Sequence, residues 1–204
     1  MLIGVTGKSG GGKSTFSRSL LENLTDAKCV HCDSILIPII LSKKSKLIEL
    51  YGENILYNDS LNKKLFIQNP ENAKIIHSLI DSTTIEQLLL AINSVQKKYK
   101  YVIIDFYRLP EFDEIWNLCD VHVLIESEST DSRYTHLLQR LNGSNLSDSK
   151  KSYSITTEDL KSRDQLASDY SLFSYDYIIT NNYDESFFEQ AKKIAIELQT
   201  STCK

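Results

Sequence analysis

The run Gly7-Lys8-Ser9-Gly10-Gly11-Gly12-Lys13-Ser14 has the spacing glycine, four residues of any type, then Gly-Lys-Ser. Those residue types in that order can hold a chain of phosphates. Glycines let several backbone N–H groups turn into one concavity. A helix opening directly after the loop would add unpaired N–H groups and a positive dipole. Lys13 would reach the terminal phosphates as a cation, and the Ser14 hydroxyl would hold Mg²⁺. The expected nucleotide-binding set is therefore Gly7, Gly10, Gly11, Gly12, Lys13, Ser14 and Thr15, with ATP and Mg²⁺ as the ligands.

Two carboxylates belong with that loop. Asp105 ends the apolar run Tyr101-Val102-Ile103-Ile104. An aspartate at the carboxyl end of a buried strand can face the magnesium of such a loop across the sheet edge. The other reading is a cap for the turn at Leu109-Pro110. Asp33 follows a second presumed strand and can accept or orient the proton of an acceptor hydroxyl. It can equally cap a helix starting at Ser34, and the two roles are compatible.

Basic residues flank a polar stretch, Asn142 to Ser152. Arg140 and Arg163 are the candidates to stabilise a transferring phosphoryl group, with Arg133 and Lys161 behind them. Solvated helix faces are the plain alternative. Phe106, Tyr107 and Trp116 are candidates for an acceptor pocket or for core. Cys29-Val30-His31-Cys32 has a C-x-x-C spacing, but zinc would want two more ligands at matching spacing. Small residues filling a strand end is the better account.

The elements that must position these groups read as alternating strands and helices. Leu2 to Thr6 is a short buried strand. Phe16, Leu20 and Leu24 recur every four residues, as in a helix. Cys29 to His31 is a second strand, and Ile35 to Leu50 is helix-like. Residues 71–95 carry Ile85, Leu88, Leu89, Ile92 and Val95 at helical spacing. Tyr101 to Asp105 is the clearest strand. Val121 to Ile125 and Tyr175 to Thr180 follow, and Phe187, Ala191, Ile194 and Leu198 share one face of a closing helix. The alternation predicts an α/β domain on a mostly parallel sheet. The polar stretch reads as a mobile loop or disordered insertion, either part of a moving lid or a tolerated surface segment.

The composition bounds the function. The 204 residues suit one domain and a full core. A share of 41% hydrophobic and 25% charged residues is ordinary for a globular chain. The net charge of −4 lacks the basic surplus of a duplex-binding protein. No apolar run reaches membrane-spanning length, and the first residues lack a signal-peptide pattern. The four cysteines form no disulfide framework, so a reducing cytoplasm is expected. No nucleic-acid or membrane partner is expected.

With these residues assembled, the chain resembles the dephospho-coenzyme A kinase family. Ile3-Gly4-Val5-Thr6-Gly7-Lys8 looks like the family's opening, and Asp33 matches the second aspartate of its Asp-x-Asp. Tyr51-Gly52-Glu53-Asn54-Ile55-Leu56 is similar to its Phe-Gly-x-x-Ile-Leu. Leu65-Phe66 through Asn69-Pro70, with Ile76-His77-Ser78-Leu79-Ile80, resembles its helical acceptor region. Gln139-Arg140 resembles the end of its lid helix, and Asp176 to Asn182 its closing strand and asparagine turn. The likeness implies a three-layer P-loop kinase fold with a five-stranded parallel sheet, a helical acceptor-binding region over 34–98 and a lid over 130–170. It implies transfer of the ATP γ-phosphoryl to the ribose 3′-hydroxyl of a small-molecule acceptor, dephospho-CoA. Departures lie at the acceptor end. His31 replaces the first aspartate, Ser78 follows His77 where the family has proline, and Asp105 to Pro110 replaces Pro-Leu-Leu. The lid holds fewer arginines. These departures leave a nucleoside or nucleoside monophosphate as alternative acceptors, and a non-catalytic nucleotide sensor as a third reading.

Overall fold

The computed structural model describes residues 1–57, 60–61, 70–143, 155–165 and 167–201. Five parallel strands form the centre: β1 (Leu2–Thr6), β2 (Ala27–His31), β5 (Tyr101–Asp105), β6 (Val121–Ser127) and β7 (Tyr177–Asn181). Their order across the sheet is β2-β5-β1-β6-β7. The register sets Val5 and His31 on either side of Asp105, at the carboxyl ends of three adjacent strands. A two-residue pair, β3 (Leu56–Tyr57) and β4 (Ser60–Leu61), stands apart as an antiparallel ribbon.

The central strands β1 and β5 are apolar on both faces, which forces a layer of helix onto each. Ile3, Val5, Tyr101 and Ile103 point to one side. There they meet Phe16 and Leu20 of α1 (Lys13–Asn23) and Phe187, Ala191 and Ile194 of α8 (Ser186–Ser201). Leu2, Val102 and Ile104 point to the other side. They meet Leu88 and Ile92 of α4 (Pro70–Gln96), and Ile115 of α5 (Asp113–Trp116). Each such fully buried side chain contributes about 1.5–3 kcal/mol.

Beyond the second layer lies a helical region with its own core. α2 (Cys32–Ser42) and α3 (Lys44–Tyr51) pack Ile39, Ile40 and Leu47 on Ile76 and Ile80 of α4. The stretch 35–50 is thus two helices, parted at Lys43. By length and composition α4 could cross a membrane. Its Ala73, Ile76, Ile80, Leu88 and Ile92 instead form one buried stripe against α2, β2 and β5. On the far side, α6 (Thr130–Gly143) and α7 (Thr157–Asp164) share the small cluster Tyr134, Leu137 and Leu160. Most of the polar stretch, the segment 65–69 and Cys203 lie outside the described residues.

Candidate active site

The loop between β1 and α1 turns on glycines. Gly7 has φ +138 and a Cβ there would stand 2.2 Å from the Ile125 carbonyl oxygen. Gly12 has φ +102, and a Cβ there would stand 2.4 Å from Asn181 Nδ2. Both positions need the left-handed backbone and the missing side chain. The loop carbonyls are tied from outside. Asn181 Nδ2 donates to Gly11 O at 2.9 Å, the Tyr183 hydroxyl to Gly10 O at 3.0 Å, and Arg133 Nη1 to Ser9 O at 3.0 Å. The planes held at Ser9 O and Gly11 O leave the Gly10 and Gly12 N–H groups available to the concave side, whereas the Gly11 N–H bonds within the loop to Lys8 O at 3.1 Å. Gly7 and Gly11 shape the loop from buried positions, while Gly10, Gly12, Lys13, Ser14 and Thr15 line the cleft itself.

The opposite walls of that cleft, of about 190 Å³, bring in Asp33, Asp105, His31, Cys32, Phe106, Tyr107, Arg140 and Arg163. Lys13, Asp33, Arg140 and Arg163 therefore meet, although they come from α1, α2, α6 and α7. Asp105 is 8% exposed, and its carboxylate lies 3.7 Å from His31 Nδ1. Asp33 is exposed to the cleft. It sits inside the first turn of α2, whose N-cap is His31 with no side-chain cap bond. The capping alternative for Asp33 thus fails: the helix starts two residues earlier than Ser34.

Lys13 Nζ donates to Lys8 O at 3.2 Å. Burial lowers its pKa to about 8; Asp105 pulls it back, Arg163 pushes the same way as burial, then Asp33 and Arg140 act in opposite senses. The side chain keeps partial exposure to the cleft. Arg163 is also pushed down, first by burial and then by Arg140 and Arg133 against Tyr107 and Asp164. Several cations converge here at an energetic cost, which a polyphosphate would relieve. Among the described residues no group of three or more His, Cys, Asp or Glu side chains could cage a metal. Ser14 and Asp105 suit Mg²⁺ that arrives with phosphate oxygens and keeps water, its usual mode. That ion would supply charge neutralisation at the phosphates.

Other candidates go elsewhere. Arg133 is 3% exposed and spends its guanidinium on Asp164 and Ser9 O. Lys161 is exposed and pairs with Glu158 within α7. Trp116 does not line the cleft. It packs on His122, Phe173 and Tyr175, with ring centroids 4.0–5.8 Å away. Asn181, Tyr183 and the Arg133–Asp164 contact are functional placements the motif does not signal. The asparagine turn after β7 was visible only through resemblance.

A second recess of about 480 Å³ shares Gly10, Gly12, Thr15 and Arg140 with the cleft. His136 stacks on Tyr183 there, with centroids 4.1 Å apart and planes 19° from parallel. Phe188 is 48% exposed at its rim.

Behind Tyr107 lies a buried polar set. Arg108 gives a two-pronged pair to Asp81 at 2.7 and 2.8 Å and a third bond to Glu111 at 2.6 Å. The Tyr107 hydroxyl meets His77 Nε2 at 3.3 Å. Burial, helped by Arg108 and opposed by Asp81 and Glu111, lowers His77 to about 4. The unfolded chain then binds a proton near pH 6.5 that the folded chain refuses, so stability falls as pH drops from about 6.5 toward 4. Urea midpoints at pH 7 and pH 5 should show a loss of about 1 kcal/mol in the native chain, discounted for partial exposure, and less in His77→Gln. Equal losses would place the acid sensitivity elsewhere.

A glycine-rich loop between the first strand and first helix of a five-stranded parallel sheet, with helices on both faces, defines the P-loop kinase fold of the nucleotide-kinase type. No known protein-family model matches the chain. Solved structures match it across nearly its whole length. The Thermus thermophilus protein TT1252 aligns with a TM-score of 0.69 at 16% identity, over 97% of this chain and 96% of that one. A dephospho-CoA kinase from Campylobacter jejuni gives 0.52 at 16% identity, over 96% and 95%. A shikimate kinase from Bacteroides thetaiotaomicron gives 0.52 at 16% identity, over 98% of each chain. At that identity the likeness establishes the fold.

Proposed function

We propose that this chain is an ATP-dependent phosphotransferase acting on a small-molecule hydroxyl, with the ribose 3′-hydroxyl of dephospho-CoA as the first acceptor. One observation carries it: Lys13, Arg140 and Arg163 converge with Asp33 and Asp105 in the cleft closed by the glycine loop. Cations and loop amides would hold the β and γ phosphates, and Ser14 and Asp105 would hold Mg²⁺. Asp33 would take the proton of the attacking hydroxyl. The second recess, with its stacked His136 and Tyr183 and exposed Phe188, suits the adenine of ATP. Residues 34–98 would bind the acceptor, and 130–170 would form the lid.

Dephospho-CoA is favoured by the residue resemblance and by the fold shared with the Campylobacter enzyme. A nucleoside is the second reading. Arg108, next to Tyr107, is neutralised by Asp81 and Glu111. Arg108 lies behind the cleft lining and is already paired, so it is not available to hold a phosphate or carboxylate of the acceptor. The test is ADP release from ATP and Mg²⁺ with dephospho-CoA, nucleosides and nucleoside monophosphates in parallel, using Lys13→Ala as the blank. Turnover with dephospho-CoA alone supports the first reading, and turnover with a nucleoside alone supports the second. Tight ATP binding with no transfer to any acceptor replaces both with a nucleotide sensor.

A further inference from the structure

We infer that Arg133 is a positioning residue that sets Arg163 in the phosphate cleft by holding its neighbour Asp164. The inference rests on the proposal that Arg163 binds nucleotide phosphate. Arg163 and Asp164 are adjacent in the last turn of α7. Successive residues on a helix point different ways, and Arg163 lines the cleft while Asp164 is absent from its lining. Asp164 is instead occupied from α6. Arg133 Nη1 donates to Asp164 Oδ1 at 3.1 Å, Nη2 donates to Oδ2, and the Tyr134 hydroxyl donates to Oδ2 at 2.9 Å. The same Nη1 reaches Ser9 O in the glycine loop at 3.0 Å.

This arrangement has two consequences for Arg163. It makes no ion pair with a described carboxylate, so its charge stays available to the cleft it lines. Its helix is also fixed to the phosphate loop through one buried guanidinium. An arginine fork can do this because its donors lie in one rigid plane, which a lysine lacks. Arg133 is 3% exposed and Asp164 is about 15% exposed at its side chain, so water does not compete strongly for the contact.

The test is a double-mutant cycle on MgATP affinity, read by calorimetry on the full chain. Arg163→Met should weaken binding at least tenfold. Arg133→Gln should weaken it tenfold or more when Arg163 is present, and less than twofold in the Arg163→Met background. Arg133→Lys should behave like Arg133→Gln, because the charge survives and the fork does not. An equal loss in both backgrounds overturns the inference. It would show that Arg133 acts through Ser9 or through general stability, neither of which needs Arg163. If Arg133→Gln does not fold, Arg133→Met with Asp164→Leu takes its place, since removing both partners leaves no buried charge unpaired. Failure of the native chain to bind MgATP overturns the proposed function and this inference with it. Binding with an additive cycle overturns the inference alone.

Discussion

Lys13→Ala is expected to lower turnover by about 10³-fold or more while the protein stays folded, because a cation aimed at developing phosphoryl charge is removed. The direction of the stability change makes the prediction sharper. In the ligand-free protein, the Lys13 ammonium is held below its ordinary range by burial and by Arg163 and Arg140. Among the described residues its hydrogen bond goes to a carbonyl of its own loop, Lys8 O. The side chain packs no core, and Phe16 and Leu20 on the buried face of α1 are untouched. Removing a charge that the folded state disfavours should leave the melting temperature unchanged or raise it. Activity and stability therefore move apart, as they do where strain is kept for function. The checks are kcat for the acceptor that turns over and a thermal melt of both proteins. A folded variant with kcat within a few-fold of the native value would remove Lys13 from the chemistry. A large drop in melting temperature would show that the ammonium is structural.

Sequence patterns are legible where the physics is local. Glycine spacing fixed the loop, because no other residue tolerates the backbone of Gly7 and Gly12. The apolar strand ending in Asp105 was legible, since two-sided burial writes itself as a continuous apolar run. Helix 71–95 came from its period and was found at Pro70–Gln96. Asp33 lines the cleft from the first turn of α2 and does not cap it, because the start of α2 depends on how β2 ends. Arg140 and Arg163 line the cleft, and Arg133 and Lys161 do not. No local pattern separates the two pairs. The choice depends on which carboxylate each guanidinium meets across helices, and Asp164 captures Arg133 from 31 positions away. Trp116 illustrates the same limit. An aromatic near the strand carrying Asp105 could serve a pocket, yet its partners His122 and Phe173 come from β6 and the approach to β7. Tyr183 clamps the loop from 173 positions away, a contact that no local pattern records.

Asp33→Asn is expected to lower kcat by about 10²- to 10⁴-fold while ATP affinity changes little, as for loss of a general base. Two carboxylates share the cleft, and their surroundings divide the work. Asp105 is buried, ends a central strand, and lines the same cleft as Ser14 of the first turn of α1. Asp33 is exposed, on the first turn of α2, and makes no hydrogen bond or ion pair to another described residue. An exposed carboxylate lining the cleft is suited to accept a proton, whereas a buried one at the sheet edge is suited to a cation. Asparagine keeps the size and hydrogen-bonding reach of Asp33 and removes its ability to take a proton. Asp105→Asn should instead raise the Mg²⁺ concentration needed for half-maximal rate. The measurements are kcat, ATP affinity and Mg²⁺ dependence for each variant. Equal losses of kcat and ATP affinity in Asp33→Asn would reduce Asp33 to a positioning group. Near-native kcat would mean that the acceptor loses its proton without a protein base, as a loose transition state with late proton transfer permits.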